Sequence, residues 1–403
     1  MYRKWVMTFA LVAATTISLV AEESPALSST TATQSSPVSA TFLPSGEGWI
    51  MSAAKCAKKN CALIEHTLNA GATWTTLRLP QAMQTSLQAS VGGYYSVPQL
   101  SIYFSNPNDG WVYGLTQGKK DASSAAVMWS THDAGKQWLA VPTKSLGMKF
   151  NVLAIGASRG SVYAIAWKTD DTFGLWRSST ATDAWQPVHT PALYSAAGGT
   201  DMEGALVFKG ASGWLMIGND RGVTGSARLT SSGSWEKWSS PCDKVGGGYD
   251  VPVAYSPTSL VDVCSIGGYG EDVAPGTPRN LKVGTNWLFA SNNGGRTFVP
   301  VSHFGNENTT QWLDGVAGLP ASPSPGVIFI VQTYQKGQSY VERLLTTRND
   351  GKTWRAVFIP MSLATDSIDY LAFASPRLGF GIVDSGSSKS VLIVSTDGGR
   401  TWH

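Results

Sequence analysis

Four aspartates, Asp201, Asp250, Asp314 and Asp369, each stand just ahead of a short apolar run, with Tyr94, Tyr95, Glu203, Tyr249, Trp312 and Asp366 in the same connecting stretches. Two carboxylates flanking a cleft perform glycoside hydrolysis, one as acid and the other as base or nucleophile. An acidic and aromatic rim can equally hold a sugar, a cation or a basic peptide segment, since ring faces and carboxylates suit all three. Loop carboxylates are also commonly only solvated. The best-placed candidates for such a rim are Tyr95, Asp201, Asp250, Trp312, Asp314 and Asp369.

Other chemistry finds less support. No GxSxG elbow, P-loop, HExxH or dinucleotide fingerprint occurs. GGGYD at 246–250 and IGGYGED at 266–272 lack the strand-to-helix context that phosphate binding needs, and read as loops. The four cysteines suggest two local bridges, Cys56–Cys61 around AKKN and Cys242–Cys264, in an oxidising compartment. Their spacing does not suit zinc, so neither a metal nor a cofactor is expected. The net charge of +3 is too weak for a nucleic-acid partner, which needs a concentrated basic stripe.

What positions the rim is a repeat. Five stretches align without gaps: TLNAGATW at 67–74, THDAGKQW at 131–138, SNNGGRTF at 291–298, TRNDGKTW at 347–354 and STDGGRTW at 395–402. Two degenerate copies fill the gap, SSTATDAW at 178–185 and SSGSWEKW at 231–238, the latter also readable as ending at Trp235. From Trp74 to Trp402 the seven copies recur about every 55 residues, which suits a four-stranded propeller blade with long loops. A strand start repeats in step, at GWIMSA (48–53), GWVYGL (110–115), SVYAIAW (161–167), GWLMIG (213–218), LVDVCS (260–265), GVIFIV (326–331) and GFGIVD (379–384). Each repeat reads as strand, turn, strand, loop, strand, box, strand. Within the box, Asn69, Asp133, Asn293, Asn349 and Asp397 are expected to cap backbone N–H groups two residues on. Gly71, Gly135, Gly295 (or Gly294), Gly351 and Gly399 supply positive φ. Trp74, Trp138, Phe298, Trp354 and Trp402 are expected to be buried against the next blade.

These boxes resemble the Asp-box, or bacterial neuraminidase repeat. Combined with the Gly-aromatic strand start, the pattern looks most like the photosystem II stability/assembly factor-like proteins of the sialidase-like superfamily. The resemblance covers about 41–403 and implies an all-β fold, a seven-bladed β-propeller of four-stranded antiparallel blades. It does not imply sialidase activity. FLPSGEGWI at 42–50 lacks the arginine of the sialidase Arg-Ile-Pro motif, Arg78 follows the first box, and Arg296 and Arg400 lie inside boxes.

The ends complete the expectation. Arg3 and Lys4 followed by the uncharged residues 5–21 read as a signal peptide or a retained N-terminal anchor over 1–24. Residues 25–40 read as a Ser/Thr-rich linker, of which about 28–38 would close the last blade by pairing with 390–395. Together these features predict an exported monomeric binding or scaffold module for a protein, peptide or glycan. It would touch a membrane only through an uncleaved N-terminal segment. An extracellular glycoside hydrolase with a carboxylate pair at the propeller mouth is the alternative.

Overall fold

The computed structural model describes residues 35–56, 59–91, 100–116, 125–168, 172–193, 202–219, 222–244, 252–265, 286–304, 320–336, 339–359, 367–384 and 390–403. The seven boxes and seven strand starts become seven antiparallel sheets, six of four strands and one of three. Blade 1 is Ser35–Phe42, Gly48–Cys56, Lys59–Thr67 and Thr75–Thr76. Blade 2 is Leu100–Phe104, Gly110–Thr116, Ala125–Thr131 and Leu139–Ala140. Blade 3 is Met148–Ser158, Ser161–Lys168, Phe173–Ser179 and Gln186–Leu193. Blade 4 is Glu203–Lys209, Ser212–Asn219, Gly222–Leu229 and Trp235–Lys237. Blade 5 is Val253–Ala254, Leu260–Ser265, Asn286–Ser291 and Val299–Phe304, and blade 6 is Ala321–Ser324, Val327–Lys336, Ser339–Thr347 and Arg355–Val357. Blade 7 is Ser367–Phe373, Gly379–Asp384 and Ser390–Ser395, with His403 alone in the fourth position, its N–H and C=O both paired to Val394. The one α-helix among the described residues, Gln81–Val91, buries Met83 and Leu87 in the core between blades 1 and 2.

The strand starts carry glycine for a packing reason. Gly48, Gly110, Gly213 and Gly379 stand directly across from Phe42, Phe104, Phe208 and Phe373, at or next to the ends of the inner strands of blades 1, 2, 4 and 7. A Cβ on any of them would lie 2.4–2.6 Å from the opposing ring. The ring thus lies over the glycine, covering backbone that no side chain protects.

The described propeller reaches further toward the N-terminus than the box pattern suggests, to Ser35, and the strand Ser35–Phe42 pairs with Gly48–Cys56 rather than with 390–395. Blade 1 would otherwise lack an inner strand. The alternation of Ala40 and Phe42 with Ser39 and Thr41 suits that position. The two apolar residues are buried, while the hydroxyl oxygens of Ser39 and Thr41 accept the N–H of Ile102 and of Phe104 in blade 2, at 3.0 and 3.5 Å. The expected residues 1–24 and the remainder of the linker, to residue 34, lie outside the described residues.

The ring is closed by side chains. Phe42 packs on Phe380 of blade 7 with centroids 4.8 Å apart, within a cluster that holds Ala40, Ile50, Leu378, Ile382 and Val394. The other large core clusters also gather residues of adjacent blades, so the apolar core lies mainly in the seams.

Candidate functional site

The propeller has two unlike ends. At one, the box loops sit beside the loops joining first to second strands; at the other lie the second-to-third-strand hairpins and the blade connectors.

At the box end the geometry repeats closely. Thr67, Thr131, Ser291, Thr347 and Ser395 each donate a hydroxyl to the side-chain oxygen of Asn69, Asp133, Asn293, Asn349 or Asp397, at 2.8–3.0 Å. The same hydroxyls accept the N–H of Gly71, Gly135, Gly295, Gly351 and Gly399 at 2.8–3.1 Å. The Asn or Asp oxygen then accepts the N–H four residues on, from Thr73, Gln137, Thr297, Thr353 or Thr401, at 2.8–3.0 Å. The cap therefore spans four residues, where the shorter Asx turn spans two. The loop needs the longer reach because two successive residues are left-handed, such as Ala134 (φ 65°) and Gly135 (φ 86°), or Gly398 and Gly399 (both φ 75°). Gly294 and Gly295 are both left-handed as well, at 73° and 80°. Asp397 gathers most hydrogen bonds. Burial alone would raise its pKa, but donors from Thr401, Ser395 and Arg400 outweigh it and bring the carboxyl down to about 2.

The aromatic that ends each box packs against the preceding blade, where the next blade was expected. Trp138 of blade 2 joins Trp49, Met51 and Ile64 of blade 1, and Trp402 of blade 7 joins Phe329, Val331 and Leu344 of blade 6. Trp74 of blade 1 reaches Phe380 and Val394 of blade 7, Phe298 reaches Trp214 and Met216 of blade 4, and Trp354 packs beside Val261 and Val263 of blade 5. Within its own blade the ring stands edge-on to the phenylalanine that covers the strand-start glycine, at 5.9–6.2 Å for Trp74, Trp138, Trp235 and Trp402. The blade-4 loop follows the earlier reading. Gly233 is left-handed (φ 86°) and Trp235 is the packed ring, while Trp238 donates its indole N–H to Gly295 O of blade 5 at 2.8 Å. Phenylalanine six residues before glycine was legible in Phe42–Gly48, Phe104–Gly110 and Phe373–Gly379, and would have located the inner strands.

Of the expected rim, Tyr95, Asp201, Asp250, Trp312 and Asp314 lie outside the described residues, as do Tyr94, Tyr249 and Asp366. Glu203 is the exposed first residue of its strand. Asp369 is not ahead of a strand but inside one, at a bulge of the inner strand of blade 7, where Ile368 pairs with Val383 and Tyr370 with Ile382. A bulge breaks the alternation of faces. Asp369 and Tyr370 are consequently both exposed, the tyrosine to 42%. Partial burial pushes the Asp369 pKa up; the Ser367 hydroxyl, 2.9 Å from Oδ1, pulls it back, and the charge of Asp384 adds to the rise. Asp384 belongs to the adjacent strand of the same sheet, opposite Ser367. Glu342 of blade 6 accepts the Ile368 N–H at 2.7 Å and so holds the strand just before the bulge. The Tyr370 ring lies 5.9 Å from Phe380. Burial, with the nearby phenols of Tyr113 and Tyr103, keeps its hydroxyl protonated well above the ordinary range. Burial also pushes Tyr103 up to about 12, even though its hydroxyl accepts Ala157 N–H at 3.0 Å.

Cys242 and Cys264 are bonded, with an S–S distance of 2.09 Å, tying the segment after blade 4 to the second strand of blade 5. Cys61 is also in a disulfide, while the side chain of Cys56 lies outside what is described. Among the described residues no three His, Cys, Asp or Glu side chains gather as a metal site would require.

This architecture is that of a seven-bladed β-propeller. Among solved structures it resembles YCF48 bound to D1 peptide (TM-score 0.53, 14% identity, covering 91% of this chain and 93% of that one). It also resembles a polysaccharide lyase, the PL25 ulvan lyase (TM-score 0.56, 11% identity, 90% and 95% covered), and a prolyl endopeptidase (TM-score 0.53, 10% identity), of which it spans about half, 49%. No family model and no curated protein matches the sequence.

Proposed function

We propose that the protein is an exported, non-catalytic propeller that recognises a protein or peptide partner at the channel end of blade 7, with its box loops acting as Asp boxes that hold the scaffold. The observation that carries this reading is the bulge that presents Asp369 and Tyr370 together. A carboxylate beside a part-exposed tyrosine ring suits a lysine or arginine side chain, through charge and cation–π contact. The fold alone does not choose a function, since one solved neighbour holds a peptide and another is a lyase. Hydrolysis asks for a second carboxylate across a cleft. Asp384, the carboxylate acting on Asp369 among the described residues, shares its sheet instead. The Cys242–Cys264 bond supports export, because such bonds persist in oxidising compartments.

Peptide and glycan arrays probed with the wild-type protein, Asp369→Ala and Tyr370→Ala test this. Peptides with basic residues should bind the wild type, and each substitution should weaken binding by about tenfold or more. Release of reducing sugar from a polysaccharide, abolished by Asp369→Ala, would overturn the reading in favour of a glycoside hydrolase.

A further inference from the structure

We propose that His132 is a proton-dependent latch across the seam between blades 2 and 3. Its ring lies between two carboxylates from different loops. Nδ1 is 2.8 Å from Asp109 Oδ1, in the turn between the first two strands of blade 2, and Nε2 is 3.4 Å from Asp183 Oδ2, in the loop before the outer strand of blade 3. A neutral imidazole carries one N–H, so it can serve one of these acceptors and must turn a lone pair toward the other. Only the imidazolium donates to both.

The surroundings leave little alternative. Asp183 Oδ2 already accepts the hydroxyl of Ser130, at 2.7 Å, and ionised carboxylates are acceptors only. Asp183 Oδ1 is buried without a hydrogen-bond partner among the described residues, so the charge of this carboxylate is answered chiefly through Oδ2. The Trp111 ring stands edge-on to His132 at 6.4 Å and is fully buried in the blade 2–3 core with Trp185, two residues beyond Asp183. The groups acting on the ring are the carboxyls of Asp109 and Asp183. Burial by itself would lower the histidine's pKa; the hydrogen bond to Asp109 and the charge of Asp183 outweigh it and hold the pKa above the usual value. The sign follows. The latch is fully closed below the unfolded-state pKa of about 6.5 and is lost as pH rises through the higher folded-state value. His66 is the internal contrast. Its Nε2 meets a single carboxylate, Glu47, at 2.9 Å, and its ring stacks on Trp49, a pairing that one N–H satisfies.

Two measurements on the full chain test the latch. Thermal unfolding from about pH 5 to about pH 9 should show His132→Gln below the wild type in Tm at the acid end. The gap should shrink as pH rises. Ring-proton NMR titration of the wild type needs no variant to fold, and His132 should titrate above about 6.5. A constant gap for His132→Gln, or a His132 titration at or below the ordinary histidine value, would overturn the proposal.

Discussion

Replacing Gly399 by alanine adds one methyl group to a turn that has no room for it, for two separable reasons. The residue is left-handed, φ 75°, which costs an L-residue about 1–2 kcal/mol. The new Cβ would also lie 2.4 Å from Cζ of Phe329, a fully buried ring of blade 6 that Trp402 and Phe373 hold in place. Forcing such a ring aside costs about 1–3 kcal/mol, so the total loss should be about 2–5 kcal/mol. Gly233→Ala supplies the control. Its φ is 86°, but nothing lies within 4 Å of the added methyl, leaving only the backbone cost. Urea unfolding followed by tryptophan fluorescence should show the Gly399 variant losing clearly more stability than the Gly233 variant, at unchanged m-value. In a Phe329→Leu background the excess should disappear, giving a positive coupling in a double-mutant cycle. Equal losses for the two glycines, or an excess that survives the loss of the ring, would refute the claim that the box glycine is pinned against the preceding blade.

The same turns make further tests. Ala134→Gly relieves a left-handed alanine (φ 65°) and should gain about 1 kcal/mol in urea unfolding. Trp402→Ala removes a buried ring from the blade 6–7 seam and should cost about 3–5 kcal/mol by the same assay. Because Asp397 has its pKa depressed to about 2, the stability it confers is fully present above the ordinary carboxylate pKa and is lost as pH falls from there through about 2. Asp397→Asn should therefore flatten the acid limb of a Tm–pH profile. Reducing Cys242–Cys264, which stand 22 positions apart in sequence, should lower stability by about 3 kcal/mol, read as a shift in the urea midpoint with and without reductant.

The propeller was legible because its signals are local and repeated: a hairpin box, a Gly-aromatic strand start and a phase that keeps the two in step. What the sequence hid was direction and reach. Trp402 contacts blade 6 and Trp74 contacts blade 7, and no single repeat reveals which neighbour its ring will meet. The four-residue cap needs two consecutive left-handed residues, and Ala70, Ala134 and Asp350 occupy the first of these positions without a glycine to announce it. The first strand reads as a linker because it is rich in serine and threonine, whereas Ser39 and Thr41 bond the neighbouring inner strand. The bulge at Asp369 left no mark of its own, since an extra residue in an apolar run alters no motif.

Among the described residues, the joint between blades 7 and 1 is built as the others are, by rings and aliphatic side chains lying across it, with no strand of either blade borrowed by the other. No joint is therefore the ring's privileged fastening. Covalent continuity can be relocated: a circularly permuted gene that opens the chain within 141–147, between blades 2 and 3, and bridges the original ends keeps every ring-on-ring contact. Assembly of the disc is then governed by neighbouring wedges fitting pairwise, whichever wedge the ribosome makes first.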